Sequence, residues 1–319
     1  MTHIGPLIDA AKQRDPRAVA KLISMVEDAD PALPGVMSAL LGAGVQAGPA
    51  YIIGMTGAPG VGKSTTTSAL IAHWRSRSLV VGVLAVDPTS PFTGGALLGD
   101  RVRMQVHATD AEVFIRSMAS RGQLGGMAAA TPNAVRILEA VGFGVVLVET
   151  VGVGQAEVDV AATADTTVVL LAPGMGDGVQ AAKAGLLEVA DVLVVNKSDR
   201  DGADDAVREL RQMVSTTSDR QPGSWRPLVV RTVATAEGGI SELIEAIEAH
   251  RAWLNASGDG ERRRQARAAH EIRAIALAML SSRIGLRPDD PRLAELASDV
   301  AAGRIDAYAA AVQLVSSVS

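Results

Sequence analysis

The chain of 319 residues contains no cysteine. It can therefore form no disulfide bond, no thiolate zinc site and no cysteine-ligated iron–sulfur cluster, and it is typical of a reducing compartment. Aromatic residues are also scarce, at 3%, whereas hydrophobic residues reach 48%. The core must therefore be built mainly from Ala, Val, Leu and Ile.

An excess of positive charge is missing as well, because the formal net charge is -5. This balance gives no electrostatic footprint for DNA or RNA, so we expect no nucleic-acid partner. No apolar run approaches the roughly 20 residues that a membrane-spanning helix needs. Charged residues are interspersed through the amino-terminal segment, which rules out a signal-peptide pattern there. We therefore expect a soluble, cytoplasmic protein without a membrane partner.

Continuous apolar runs alternate with amphipathic segments over residues 50–256, a pattern typical of parallel strands covered by helices on both faces. The predicted strands are Tyr51–Thr56, Leu79–Asp87, Val113–Ser117, Val145–Thr150, Thr166–Ala172, Val192–Asn196 and Leu228–Thr232. The predicted crossover helices are Lys63–Arg75, Asn133–Ala140, Gln180–Glu188, Ala203–Val214 and Ile240–Leu254. We therefore predict an α/β domain with a doubly wound, mostly parallel sheet.

Helical patterns flank this domain on both sides. Residues 1–49 are predicted to form a helical extension with helices Leu7–Arg14, Pro16–Glu27 and Pro34–Leu41. After a polar break at Asn255–Gly260, residues 257–319 are predicted to form a carboxyl-terminal helical arm, with helices Glu261–Ser282, Pro291–Ala302 and Ile305–Ser316. Met25, Met37 and Met279 are expected in the core.

A phosphate-binding loop is predicted between the first strand and the helix that follows it. Residues 57–64 read Gly-Ala-Pro-Gly-Val-Gly-Lys-Ser, which matches G-x-x-x-x-G-K-[ST]. The glycines let backbone N–H groups turn toward the phosphates, and the helix N-terminus adds partial positive charge. Lys63 is expected to reach the β- and γ-phosphates, and Ser64 to bind Mg²⁺. The predicted nucleotide-binding residues here are Gly57, Ala58, Pro59, Gly60, Val61, Gly62, Lys63, Ser64 and Thr65.

A glycine-rich turn that binds nothing is the alternative for this segment. The flanking strand and helix argue against that alternative, because they are the context that the motif requires.

A base-binding segment is predicted at the end of a later strand. Asn196-Lys197-Ser198-Asp199 follows an apolar run, and the carboxyl ends of parallel strands are where such sheets bind ligands. The Asp199 carboxylate can accept from N1–H and the 2-amino group of guanine, whereas adenine offers neither donor. The stem of Lys197 can cover the base, and Asn196 can tie this segment to the phosphate loop. Less specifically, the backbone N–H of Ala234 can bind the guanine O6.

Carboxylates at two further strand ends predict a magnesium site. Asp87 and Glu149 end strands at the same sheet edge as the phosphate loop, and Mg²⁺ bound to phosphates and Ser64 favours oxygen groups nearby. The Gly152 N–H is placed to bond the γ-phosphate. No glutamine follows where Ras-like proteins use one to position water. We therefore predict slow intrinsic GTP hydrolysis that a partner stimulates.

Two glycine-rich loops follow strands at the same edge, at residues 87–101 and 173–180. Each is either a mobile nucleotide-sensing loop or a long connection. Their length and glycine content favour the first interpretation.

Longer motifs resemble one family in particular. The stretches 87–104, Phe114–Met118 with Arg121-Gly122, Glu149–Gln155, 173–183 and 190–199 are similar to the methylmalonyl-CoA mutase-associated GTPases, the MeaB/ArgK group of the SIMIBI class of P-loop GTPases. The resemblance covers nearly the whole chain. Among the departures, Val233-Ala234-Thr235 differs from the usual Ser-Ala of the fifth GTPase motif.

The resemblance implies a homodimeric GTPase chaperone that gates adenosylcobalamin loading and protection of methylmalonyl-CoA mutase. It implies that Asp87 and Asp100 are paired acidic residues of the metal and switch region, and that Glu149 belongs to a second switch. Lys63, Asp87, Asp100 and Glu149 are thus the expected catalytic residues. Asp177, Gln180 and Lys183 would form a third switch toward the mutase, and the carboxyl-terminal arm would form much of the dimer interface.

Adenosylcobalamin is expected to belong to the partner, because the sequence has no D-x-H-x-x-G pattern. The nucleotide, GTP or GDP, would bind with Mg²⁺.

Three other functions compete with this one. A kinase or ATPase of an amino-acid transport system is disfavoured by Asp199. A GTPase that inserts nickel or another metal cofactor would need Cys or His ligands, whereas His3, His73, His107, His250 and His270 are scattered and expected at the surface or partly buried. A non-hydrolysing scaffold conflicts with the intact Lys63, Ser64 and acidic set.

A cluster of arginines in the carboxyl-terminal arm raises one more alternative. Arg262, Arg263, Arg264 and Arg267 suggest either a nucleic-acid contact or a solvated or dimer-facing helix. The second interpretation is favoured because apolar residues continue along the same helix.

Overall fold

A parallel sheet between two layers of helices forms the centre of the molecule. The computed structural model describes residues 4–28, 30–42, 48–88, 105–107, 109–120, 126–150, 160–174, 188–216, 223–284 and 290–316. The strands are β1 (Tyr51–Thr56), β2 (Val81–Pro88), β3 (Val113–Ser120), β4 (Val145–Thr150), β5 (Thr166–Leu171), β6 (Val192–Val195) and β7 (Leu228–Arg231). They lie in the order β3-β2-β4-β1-β5-β6-β7, and every neighbouring pair is parallel. The predicted fold class is confirmed.

Helices connect and flank these strands. They are α1 (Ile4–Lys12), α2 (Pro16–Glu27), α3 (Leu33–Gly42), α4 (Lys63–Ser76), α5 (Gly126–Ala140), α6 (Ala203–Thr216), α7 (Ile240–Ser257), α8 (Asp259–Ile284), α9 (Pro291–Ala301) and α10 (Ala307–Ser316). Within the described ranges, none of them is both long enough and apolar enough to cross a bilayer.

Both faces of the sheet are buried, which explains the continuous apolar runs of the central strands. On one face, Ile52 and Val146 pack in a cluster with residues of α1, α2, α3 and α5. On the other face, Ile53 and Leu147 pack with α4 and α7, including the fully buried Trp74. Since no polar face remains on β1 or β4, alternation of polarity is absent from their sequences.

The predicted boundaries differ most at α5, which begins at Gly126 rather than Asn133, and the carboxyl-terminal arm differs in a further way. The expected break at Asn255–Gly260 is a single residue, because α7 runs to Ser257 and α8 begins at Asp259. Gly258 between them has φ of 73°, the left-handed conformation that ends helices. Met279 was predicted in the core and is 56% exposed. The predicted helix Gln180–Glu188 lies almost wholly outside the described residues.

Two arginines of α8 bind carboxylates at the amino edge of the sheet. Arg263 makes two hydrogen bonds of 2.9 Å to the Asp191 carboxylate, immediately before β6. The buried Arg267 donates to the carbonyl of Thr163 at 2.8 Å and to Asp165 Oδ1 at 3.1 Å, immediately before β5. The expectation of a solvated or dimer-facing set is therefore wrong for these two arginines. They anchor α8 to the α/β domain.

His250 of α7 also departs from its expected surface or partly buried position, since it is 0% exposed. Its Nδ1 lies 2.7 Å from Thr166 Oγ1, and its ring stacks on Trp253 with 5.6 Å between centroids. Its Nε2 lies 3.4 Å from Asp191 Oδ1. Burial lowers the pKa of His250 from 6.5 to about 4, although the nearby Asp191 carboxylate opposes this shift. The imidazole is therefore neutral at physiological pH.

Candidate functional site

The loop between β1 and α4 takes a conformation that only glycine allows at two positions. Gly57 has φ of 138°, and a Cβ there would lie 2.2 Å from the carbonyl oxygen of Leu170. Gly62 has φ of 100°, and a Cβ there would lie 2.2 Å from Asn196 Nδ2. The glycines of the motif thus permit both the left-handed backbone and the close approach of β5 and of the Asn196 side chain.

The side chain of Lys63 folds back and bonds to this loop. Lys63 is the first residue of α4 and is only 8% exposed. Its Nζ donates to the carbonyl of Gly57 at 2.8 Å and to that of Ala58 at 3.2 Å. A positive charge is therefore held inside the loop at a helix N-terminus, where an anion is favoured.

Ser64 lies beside a buried carboxylate at the end of β4. The Ser64 hydroxyl donates to Glu149 Oε1 at 2.8 Å, and Thr67, one turn along α4, donates to Glu149 Oε2 at 2.9 Å. Glu149 is 2% exposed. Hydroxyl and carboxylate oxygens are the ligands that Mg²⁺ prefers, so Ser64 and Glu149 fit a divalent cation next to bound phosphates.

The segment after β6 is connected directly to the phosphate loop. The amide of Asn196 donates to the carbonyl of Val61 at 2.8 Å, and Lys197 Nζ donates to that of Gly60 at 2.6 Å. Lys197 takes a left-handed conformation with φ of 56°, which turns the chain after the strand. Asp199 is exposed two residues further on. The two motifs, separated by more than a hundred residues of sequence, thus meet at one edge of the sheet.

The segment after β7 meets the same asparagine. Asn196 Oδ1 accepts from the Thr232 hydroxyl at 3.0 Å and from the Ala234 N–H at 3.1 Å. The Ala234 N–H already donates to Asn196 Oδ1, so the predicted hydrogen bond from this N–H to a guanine O6 would have to share the donor or replace the existing bond. Three loops are therefore joined by one side chain, whose amide donor and carbonyl acceptor are both bonded.

Several predicted site residues fall outside the described residues, namely Asp100, Gly152, Asp177, Gln180 and Lys183. Asp87 lies in β2, paired with Ala119 of β3 and one residue beyond the pair of Val86 with Thr150 of β4. Within the described part of the chain, no group of three or more Asp, Glu and His residues could hold a metal ion. The roles assigned to all of these residues stay predictions.

Sequence reasoning missed Thr67 and Thr232, which bond to Glu149 and Asn196. Thr67 had a weak signal, since a residue three positions after Ser64 lies on the same face of a helix. Thr232 had none, because its partner lies 36 residues away in sequence.

A parallel α/β sheet with this loop between its first strand and helix defines a P-loop nucleotide-binding protein. Residues 19–288 match the model of one family, described as "Methylmalonyl Co-A mutase-associated GTPase MeaB". The chain belongs to this family.

Relatives and solved structures agree with this assignment. A relative from Pyrococcus abyssi, provisionally named a GTPase, is 46% identical to this chain over 316 residues. The match covers 99% of this chain and 97% of the relative. The GTPase ArgK of Escherichia coli is 37% identical, covering 82% of this chain and 80% of ArgK. A crystal structure of an LAO/AO transport system kinase superposes with a TM-score of 0.71 at 26% identity, covering 99% of this chain and 97% of that one.

Proposed function

We propose that this protein binds GTP with Mg²⁺ and hydrolyses it slowly until a partner stimulates the reaction. The observation that carries the proposal is the direct bonding of Asn196 and Lys197 to the phosphate-loop carbonyls of Val61 and Gly60. It joins a phosphate-binding loop to a segment whose Asp199 suits guanine. A base and its phosphates can therefore be bound by one continuous surface.

Each residue of the site has a proposed role in this reaction. Lys63 neutralises the β- and γ-phosphates, and the backbone N–H groups of residues 57–65 bind their oxygens. Ser64, with Asp87, Asp100 and Glu149, would hold Mg²⁺ directly or through water. When bound, Mg²⁺ neutralises charge that develops on the phosphate oxygens. Gly152 would bond the γ-phosphate, so its loop would respond when that phosphate leaves.

The proposed client is methylmalonyl-CoA mutase, whose adenosylcobalamin loading and protection the GTPase would gate. The family description names this mutase, and a relative from Caenorhabditis elegans with 38% identity is named "Methylmalonic aciduria type A homolog, mitochondrial". Asp177, Gln180 and Lys183 would form the switch that faces the mutase. Adenosylcobalamin itself would be held by the mutase, and both proteins would meet in the cytoplasm.

The proposed domains are a helical extension at 1–49, the GTPase domain at 50–256 and a carboxyl-terminal arm at 257–319. We propose that the arm forms the interface of a homodimer. Large apolar side chains exposed on α8 and α10 support it, because such residues on a monomer usually mark a contact surface. They are Ile272, Leu277, Met279, Leu280, Tyr308, Val312 and Val315.

The first experiment measures turnover of GTP and of ATP, each with Mg²⁺, before and after addition of methylmalonyl-CoA mutase from the same organism. We expect turnover of GTP alone, far below a typical enzyme rate of about 10 per second, and an increase on adding the mutase. The control is Lys63→Ala, which removes the charge in the loop and should abolish both rates. A basal rate that already equals that of an unregulated hydrolase contradicts the slow-GTPase proposal.

The same assay decides the main alternative. The name of the structural neighbour refers to a kinase of an amino-acid transport system. ATP turnover equal to GTP turnover would favour a kinase or ATPase here as well. If the mutase leaves GTP turnover unchanged, the proposed GTPase activity stands, and methylmalonyl-CoA mutase is rejected as the client.

A further inference from the structure

Thr67 holds one oxygen of the Glu149 carboxylate while Ser64 holds the other. The two hydroxyls donate at 2.9 Å to Oε2 and at 2.8 Å to Oε1. Thr67 is 0% exposed and Glu149 2% exposed, so water does not compete for these bonds. With both oxygens bonded to one face of α4, the plane of the carboxylate is fixed relative to the phosphate loop.

The end of β4 is also bonded on its other side. The Thr150 hydroxyl donates to the Thr56 hydroxyl at 3.1 Å, which ties the residue after Glu149 to the end of β1. Backbone pairing sets Glu149 opposite Met55 of β1 and Ala85 of β2. The backbone of Glu149 is thus held by the sheet, and the orientation of its side chain is set by α4.

The two hydroxyls that bind Glu149 have different expected tasks. Ser64 is the predicted Mg²⁺ ligand, so its oxygen would be committed to the cation during turnover. Thr67 lies one turn further from the loop and bonds the opposite carboxylate oxygen. It can therefore keep the carboxylate oriented whether or not Ser64 is engaged.

We propose that Thr67 is a positioning residue for Glu149, and that its hydroxyl sets the affinity for Mg²⁺ and the rate of GTP turnover. The inference rests on the proposed function, because it assigns Glu149 to the magnesium side of that site. It adds a residue that touches neither the nucleotide nor the cation.

Thr66 provides a matched control on the same turn of α4. It is also 0% exposed, and its hydroxyl donates to the carbonyl of Gly62 at 3.0 Å rather than to the carboxylate. Replacing either threonine by valine keeps the side-chain shape and removes one buried hydroxyl. Only the change at Thr67 removes a hydrogen bond to Glu149.

The experiment compares wild type, Thr67→Val, Thr67→Ser and Thr66→Val. GTP turnover and the affinity for fluorescent GDP are each titrated with Mg²⁺, and GDP affinity is also measured in EDTA. We expect Thr67→Val to raise the half-saturating Mg²⁺ concentration and to lower kcat, each by about tenfold, the effect of losing one hydrogen bond to a charged group. Affinity for GDP in EDTA should stay unchanged, Thr67→Ser should restore both values, and Thr66→Val should match wild type.

Equal Mg²⁺ dependence of Thr67→Val and Thr66→Val would overturn the inference, and so would an undiminished effect of Thr67→Val in a Glu149→Gln background. A wild type that fails to hydrolyse GTP would instead reject the proposed function, and the GDP titration would still decide the role of Thr67. If Thr67→Val does not fold, Thr67→Ala and Thr66→Ala provide the same comparison.

Discussion

Asp199 lies exposed after β6, two residues beyond the left-handed Lys197. Its carboxylate can accept two hydrogen bonds from guanine, so Asp199→Asn should weaken GTP binding by about a hundredfold. The asparagine amide can donate to the 2-oxo group of xanthine, so xanthosine triphosphate should become the better substrate. Nucleotide competition assays measure both effects.

The control for this change is Asp201→Asn, which alters an exposed carboxylate on the same loop. It should leave the preference for GTP intact. Retained GTP specificity in Asp199→Asn would show that the base is read elsewhere.

The loop conformation that local sequence encodes was predictable, whereas contacts between residues far apart in sequence mostly were not. The phosphate loop requires glycines at fixed spacing beside a lysine, so the motif can be recognised from the eight consecutive residues Gly57 to Ser64. Asn196 was correctly expected to tie its loop to the phosphate loop, and its bond to Val61 confirms this link. The buried His250 contacts Thr166 of β5 and Asp191 just before β6, and both are far from it in sequence.

At the scale of elements, the anchoring of α8 by Arg267 should contribute measurably to the free energy of unfolding. Arg267→Met removes one partner of a buried ion pair and leaves Asp165 bonded only to the other described partner, the Ile52 N–H at 2.9 Å. We expect a loss of about 3 kcal/mol in the free energy of unfolding, because an uncompensated charge remains buried. Urea unfolding measures the difference.

Arg264→Met is the matched control on the same helix. Arg264 pairs with Glu261, which is 60% exposed, so its loss should leave the free energy of unfolding nearly unchanged. Equal destabilisation by the two changes would mean that Arg267 contributes packing rather than charge pairing.

Elements with a strong apolar pattern were predicted nearly to the residue, as β1 and β4 illustrate. The junction of α7 and α8 was not, because Asn255 and Ser257 are polar yet remain helical, and only Gly258 leaves the helical conformation. The attachment of α8 escaped prediction for another reason. Arg263 and Asp191 are 72 residues apart, and no local pattern reports such a pair.

At the scale of the whole molecule, the buried His250 predicts a dependence of stability on pH. Its pKa is about 4 in the folded protein, so the folded state disfavours the protonated ring. Stability is therefore full above about pH 6.5, the unfolded value, and falls as the pH drops toward the folded value. Between about pH 7 and about pH 4.5 this group should remove about 2 kcal/mol.

The comparison uses urea unfolding of wild type and His250→Gln at both pH values. Other titrating groups affect both proteins equally. The wild type should therefore lose more free energy of unfolding on acidification than the variant, and the difference is the contribution of His250. Losses of equal size would show that the acid sensitivity arises from other groups.

The order of strands in the sheet also constrains how the chain folds during synthesis. β1 is made early, yet its two neighbours are β4 and β5, which begin at Val145 and Thr166. The central strand must therefore wait, unpaired on both edges, until most of the α/β domain has left the ribosome, and such non-local pairing is slow. A nascent chain that ends before Val145 should accordingly remain sensitive to protease across Tyr51–Thr56, whereas one that extends past Leu171 should protect that segment.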